Sequence, residues 1–165
     1  SLSFNSTYIN GDYQIYKFKF INIHPASGVT LQFNLSTDNG SNYNVTKTTT
    51  VIQATHGEAD GFALLRYNTS FDLAQSTAFQ SLDCADFSTN NDASLSGELF
   101  VYNPSSTTYV KHFMSNTNAM AADPSTDQNL VAGYANTTSA VNAIQFKMSS
   151  GNIDSGQIKL YGLAN

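Results

Sequence analysis

Charge is scarce in this chain. Of its 165 residues only 12% are charged, about half the ~25% of ordinary soluble domains. Lys and Arg total 7 against 12 Asp and Glu, giving a net charge of −5. No basic run exists to release counterions from a phosphate backbone, which excludes a nucleic-acid partner. Cysteine is limited to Cys84, so an internal disulfide and a disulfide-stapled scaffold are ruled out. No basic residue adjoins Cys84 in sequence, and it is expected to be an inert packing residue, not a reactive thiol. Tryptophan is missing, and with it the Cys–Trp–Cys signature of immunoglobulin domains. No apolar run approaches the ~18 residues of a membrane-spanning helix, so no membrane insertion is expected. No signal peptide is recognisable. The chain opens on Ser1, as expected if a preceding segment is cleaved or lies outside this sequence.

Ser, Thr and Asn fill the gap left by charge, at about a third of the residues. Their short polar side chains compete for nearby backbone groups and weaken helix interiors. Thr suits pleated strands, as do the 9 Tyr and 11 Phe. The composition predicts an all-β protein. Hydrophobic residues make up 41% of it, enough for one domain over 1–165, with residues 1–12 as a short first strand or an N-terminal arm.

Alternation places the strands. Tyr16, Phe18 and Phe20 alternate with Lys17 and Lys19 in a strand that Pro25 ends. Val29, Leu31, Phe33 and Leu35 point inward, with Thr30, Gln32 and Asn34 outward, and the two runs are expected to form a meander. Thr46–Ile52 reads as a Thr-rich, edge-like strand and Gly61–Tyr67 as another. Residues 70–92 fit one or two helical turns or a long crossing loop. Leu95–Tyr102 and Tyr109–Met114 read as an antiparallel pair around the Asn103-Pro104 turn. Residues 115–127 read as a polar loop around Asp123-Pro124, followed by a strand from Leu130 to Tyr134. Val141–Leu163 reads as a closing β-hairpin: Ile144, Phe146 and Met148, then a Gly/Ser/Asn/Asp turn, then Ile158 and Leu160. Gly151 and Gly156 suit a backbone with positive φ. The expected architecture is an antiparallel two-sheet β-sandwich of about eight strands, jelly-roll-like because long crossings interrupt the antiparallel pairs.

Chemistry is thin. His56 and Glu58 would share one side of a strand, yet two ligands do not make a metal site, and a solvated or inter-subunit loop is the simpler expectation. Asp38-Asn39-Gly40-Ser41-Asn42 lacks the acidic spacing of a calcium loop and is better explained as a turn. Glu58 and Glu98 are the only imaginable glycosidase pair, but nothing sets them face to face, and Glu98 belongs on a solvated strand face. No serine elbow, triad context, phosphate loop or dinucleotide fingerprint occurs. Neither catalysis nor a cofactor nor a bound metal is expected. Asn-x-Ser/Thr sequons, among them those at Asn5, Asn34, Asn44, Asn68 and Asn136, are no more than this composition supplies by chance. The remaining signal is aromatic. Phe100 and Tyr102 fall opposite the inward Leu99 and Val101, and Tyr161 falls outside the Ile158/Leu160 face. These three are candidate contacts for a subunit interface or for a glycan.

Four segments carry a family resemblance: Phe20–Ala26, Ser36–Tyr43, Ser96–Thr108 and the closing Phe146–Leu163. Together they resemble virion structural and tail-fibre proteins of tailed phages, a family common in marine phages that infect cyanobacteria and other ocean bacteria. The likeness runs in order from about residue 13 to the end; 70–92 and 115–127 depart from it, as variable surface loops would. The resemblance implies a non-enzymatic protein at the virion surface, either a fibre or receptor-binding domain or a capsid decoration protein. Its partners would be other virion proteins, copies of itself, with a trimer expected, and host surface glycans. A free carbohydrate-binding module using Phe100, Tyr102 or the 115–127 loop is the alternative.

Overall fold

The structure, a computed structural model, describes residues 1–84 and 87–163. The strands run β1 Leu2–Phe4, β2 Ile15–Pro25, β3 Leu31–Ser36, β4 Lys47–Gly57, β5 Ala63–Tyr67, β6 Gln80–Ser81, β7 Leu95–Tyr102, β8 Lys111–Met120, β9 Ser125–Ala135, β10 Ala143–Met148 and β11 Ile153–Leu163. They build two antiparallel sheets, one of four strands in the order β1-β10-β3-β6 and one of seven in the order β11-β2-β7-β8-β9-β4-β5. The protein is an all-β sandwich, as its composition predicts.

Large apolar side chains from both layers meet where the sheets overlap. Phe146 of β10 is fully buried and touches Phe18 and Phe20 of β2, Phe33 of β3 and Phe4 of β1, with ring centroids 5.1 to 6.5 Å apart. Phe33 meets Phe113 of β8 edge-on at 5.1 Å. Aromatic pairs at these angles add to the burial of their area, so this cluster is the energetic centre of the sandwich.

Several sequence expectations change. The closing hairpin is not one. β10 pairs with β3, while β11 pairs with β2 in the other sheet, so the turn at 149–152 carries the chain between layers. The β2–β3 meander fails for the same reason: each strand belongs to a different sheet. A four-residue turn and period-2 alternation suit a hairpin and a layer crossing equally, because alternation records only which side is buried. Strands β4 and β5, and β7, β8 and β9, stay within one sheet, so the alternation between layers that a jelly roll requires is interrupted twice. Segment 70–92 has no helical turn among its described residues; it is a crossing with the two-residue β6 inside it.

The expected 115–127 loop is mostly strand. β8 extends to Met120 and β9 begins at Ser125, leaving only 121–124 as the turn. Residues 47–52 open the eleven-residue β4, which pairs with β9 throughout but with β5 only from Ile52 on; before that its free side is bonded by the crossing segment at Leu73 and Ser76. Asn34 is buried, not outward: its side-chain amide donates to the carbonyls of Tyr43 and Thr77. The first strand forms, with Leu2, Ser3 and Phe4 paired to β10. Gly151 and Gly156 have φ of +68° and +106°. Gly156 sits in a bulge of β11, where a Cβ would come 2.5 Å from the carbonyl oxygen of Asn22.

Beyond the overlap, the inner side of β4, β8 and β9 is closed by the segment between β5 and β7. Irregular backbone brings polar groups inward, and they must be paired. The strands supply the partners. Thr49 Oγ1 accepts from Leu73 N and donates to Gln80 Oε1, Gln80 Nε2 donates to the Phe71 carbonyl, and Thr117 Oγ1 donates to the Leu82 carbonyl. The buried Asp127 carboxylate accepts from Gln53 Nε2 at 2.7 Å, Thr55 Oγ1 at 2.6 Å and Asn129 Nδ2 at 2.8 Å. Two lysines are also enclosed, flanking Ala135 from either side. Lys47 Nζ donates to Asn34 Oδ1 at 2.5 Å and to the Val45 carbonyl at 2.8 Å. Lys111 Nζ donates to the carbonyls of Tyr109 and Thr137. Burial disfavours the charged amines and pulls Lys47 down to about 7, with Lys111 lowered by the same cause.

Candidate interaction face

On β4, β8 and β9 the usual pattern is partly inverted. Several inner positions are polar (Lys47, Thr49, Gln53, Ser115, Thr117, Asp127, Asn129), and among the mostly polar outward positions stand a few apolar side chains. Ile52 of β4, Met114 of β8, and Leu130 and Ala132 of β9 share this side with Phe100 and Tyr102 of β7. Cross-strand register puts them in adjoining rows. Phe100 lies opposite Met114, which lies opposite Ala132, which lies opposite Thr50; Leu130 lies opposite Ile52, which lies opposite Tyr67 of β5. Met114 is 54% exposed, Ile52 and Leu130 42% each. Together they line a shallow depression of about 320 Å³. Scattered apolar residues on a surface mean little, whereas a contiguous group on one sheet face is a candidate contact site.

Phe100 and Tyr102, both half-buried, have rings nearly parallel (17°) and 6.2 Å apart between centroids. Lys17 of β2 flanks Phe100 on the side away from β8. Its Nζ lies 4.7 Å from the Phe100 centroid and 2.6 Å from Glu98 Oε2. Tyr161 of β11 lies opposite Lys17, on the same outward side but beyond that lysine. The three aromatics thus share a face, with Tyr161 at its far margin. Alternation alone found them. Ile52, Met114 and Leu130 went unrecognised because their strands carry Thr, Gln, Asn and Asp where apolar core residues are expected; the signal was the inverted phase of that alternation.

The other candidates disperse. Glu98 is paired with Lys17 and lines the apolar depression, whereas Glu58 lies by a separate cleft with His56 and Asp92. The two carboxylates do not form a facing pair. His56, near the end of β4, has its Nε2 3.0 Å from Oδ1 of Asp60 in the exposed turn to β5, and no group of three His, Cys, Asp or Glu among the described residues could hold a metal. In the Asp38 turn, the carboxylate accepts from Ser36 Oγ, Asn42 N and Asn42 Nδ2, and these hydrogen bonds hold it down at about 2. It is a turn brace. Cys84 is buried, and desolvation, with the charges of Asp127 and Asp83, pushes its thiol up to about 12, the opposite of an activated nucleophile. Of the sequons, Asn34 and Asn68 are buried and bonded within the fold.

The chain matches no family model, and neither a curated protein nor a solved structure matches it. What it does must be argued from this face.

Proposed function

We propose that this protein is a non-enzymatic surface component of a tailed-phage virion, structural or adhesive, that works as a homo-oligomer seated among other virion proteins. The observation that carries the assembly part is the apolar outward face of β4, β7, β8 and β9, which a free monomer would leave in water. The phage setting rests on the family resemblance of the four segments named above. A particle surface also suits the hydroxyl- and amide-rich exterior, which is hydrated with little net charge.

A second reading has its own observation. The near-parallel Phe100 and Tyr102 rings, bordered by the Glu98–Lys17 pair, form a platform on which a sugar ring could stack. In that case the protein is a carbohydrate-binding module, attached to a particle or free.

Mass measurement in solution separates the two. A homo-oligomer that loses subunits when Met114 and Leu130 are changed to Ser supports assembly through this face. A monomer at every concentration that binds a glycan array through Phe100 supports the module. Finding the chain at the surface in a reconstruction of a phage particle would support the virion placement; its absence from the particle would sink it.

A further inference from the structure

A sheet edge exposes a row of unused backbone donors and acceptors, and proteins protect such rows against stray pairing. This sandwich has four edges, and three are protected. In the four-stranded sheet, β1 has three residues and β6 two, too short to offer a ladder. In the seven-stranded sheet, β11 breaks its register with β2 twice, around Ser155. It also carries Lys159, and its Asp154 carboxylate lies 3.7 Å from His24. Bulges and charge are the usual defences of an edge.

The fourth edge, β5, has no bulge and a single charge. Its five residues, Ala63-Leu64-Leu65-Arg66-Tyr67, pair with β4 without a register shift and are all exposed. Leu65 is the most exposed large hydrophobic of the described residues, at 75%. Arg66 is the sole charge, and its Nε is already used by Gln53 Oε1 at 2.9 Å. The Phe62 carbonyl accepts from Gly57, and Asn68 N–H donates to Val51. Alternation along an antiparallel strand then points the main-chain groups of Ala63, Leu65 and Tyr67 away from β4.

We propose that β5 pairs antiparallel with β5 of a second copy of this chain, across a two-fold axis at Leu65. The strand is complementary to itself in that arrangement. Leu65 faces Leu65 and exchanges both hydrogen bonds; Ala63 faces Tyr67 on either side, for about six new backbone bonds in all. Leu64 faces Arg66, so no like charges oppose each other. The side chains of Leu65 and Tyr67 project outward beside Ala54 and Ile52, so the joint extends the apolar face across both copies. A two-fold contact is isologous and closes on itself, giving a dimer, or joining two trimers into a hexamer. The inference rests on the homo-oligomer reading, and the experiment keeps the two apart.

The test is sedimentation equilibrium of the native chain, Leu65→Lys and Leu65→Glu, alone and mixed, with circular dichroism as the check on folding. The expected result is an even-numbered native assembly. Each charged variant alone, folded as before, should associate at least about tenfold more weakly, because like charges then meet at the axis. The Lys and Glu variants mixed one to one should reassociate, which a merely weakened fold would not do. If the native assembly is untouched by either substitution, or is a trimer alone, the β5 joint is wrong and the homo-oligomer reading stands. A native monomer at all concentrations overturns both. If the charged variants unfold, Leu65→Pro, whose lost N–H points away from β4, takes their place, and an unchanged native mass in it counts against the joint.

Discussion

The two halves of the sandwich are held by opposite means. Where the sheets overlap, strands β2, β3, β7 and β10 bring Phe18, Phe20, Phe33, Leu99 and Phe146 together with no polar atom to satisfy. Where the irregular segment covers β4, β8 and β9, the interior holds Thr49, Gln53, Thr117, Asp127, Asn129 and two lysines. A second sheet presents a finished hydrogen-bond ladder and can be met with hydrocarbon. An irregular cover presents loose carbonyls and amides and must be met with side chains that bond them. The same strands carry Ile52, Met114 and Leu130 on their outward side. The second half is therefore the more polar inside and bears the exposed apolar group outside.

The comparison can be broken at its strongest point. Phe146→Ala should remove about 4 kcal/mol in a urea titration, since it opens a cavity bordered by four aromatic rings; a loss under about 1 kcal/mol would mean the cluster is not the centre of the fold. Next comes Asp127→Ala, which strands the donors of Gln53, Thr55 and Asn129 and should cost about 3 kcal/mol. If Asp127→Ala is neutral, the polar half is not held by its network.

The enclosed lysine offers a pH measurement. Lys47 titrates at about 7 when folded against an ordinary 10.5. Over that interval the unfolded chain binds more protons, so stability rises with pH, by at most about 1.4 kcal/mol per unit. Cys84 acts oppositely. Its thiol is raised from 9.0 to about 12, so above pH 9 the unfolded chain gives up a proton that the folded one keeps, and stability falls. The two should yield a rise from pH 7 to about 9 and a plateau beyond, read from denaturation midpoints. Lys47→Met should flatten most of that rise; an unchanged slope would place its origin elsewhere. The smallest effect belongs to the outward face. Leu130→Ser should shift monomer stability by no more than about 0.5 kcal/mol, because that side chain is half in water already. A large loss would mean the residue supports the fold and not a contact.

The same division explains what could be foreseen. Tyr16–Phe20 and Leu31–Leu35 are legible because a large apolar residue fills every second position, and Leu95–Tyr102 because only Gly97 interrupts that pattern. Phe100 and Tyr102 followed from that phase. In Lys111–Met120 and Ser125–Ala135 the inward residues include Ser115, Thr117, Asp127 and Asn129, so true strands carried the composition of a loop. Half of the apolar face was hidden with them. Which strands pair is not written in alternation at all, and β10 and β11, four residues apart, parted into separate layers.

That parting has a consequence for the order in which the molecule can form. β10 lies between β1 and β3, so the four-stranded sheet lacks its middle until residues 143–148 have left the ribosome. Until then Leu31 and Phe33 on β3 have only β6 beside them, and β1 has no partner. Pairings that span most of the chain, such as Leu2 with Phe146, fold slowly and late. Folding should therefore wait for the complete chain, and a nascent chain stopped before Ala143 should be open to protease and prone to aggregate.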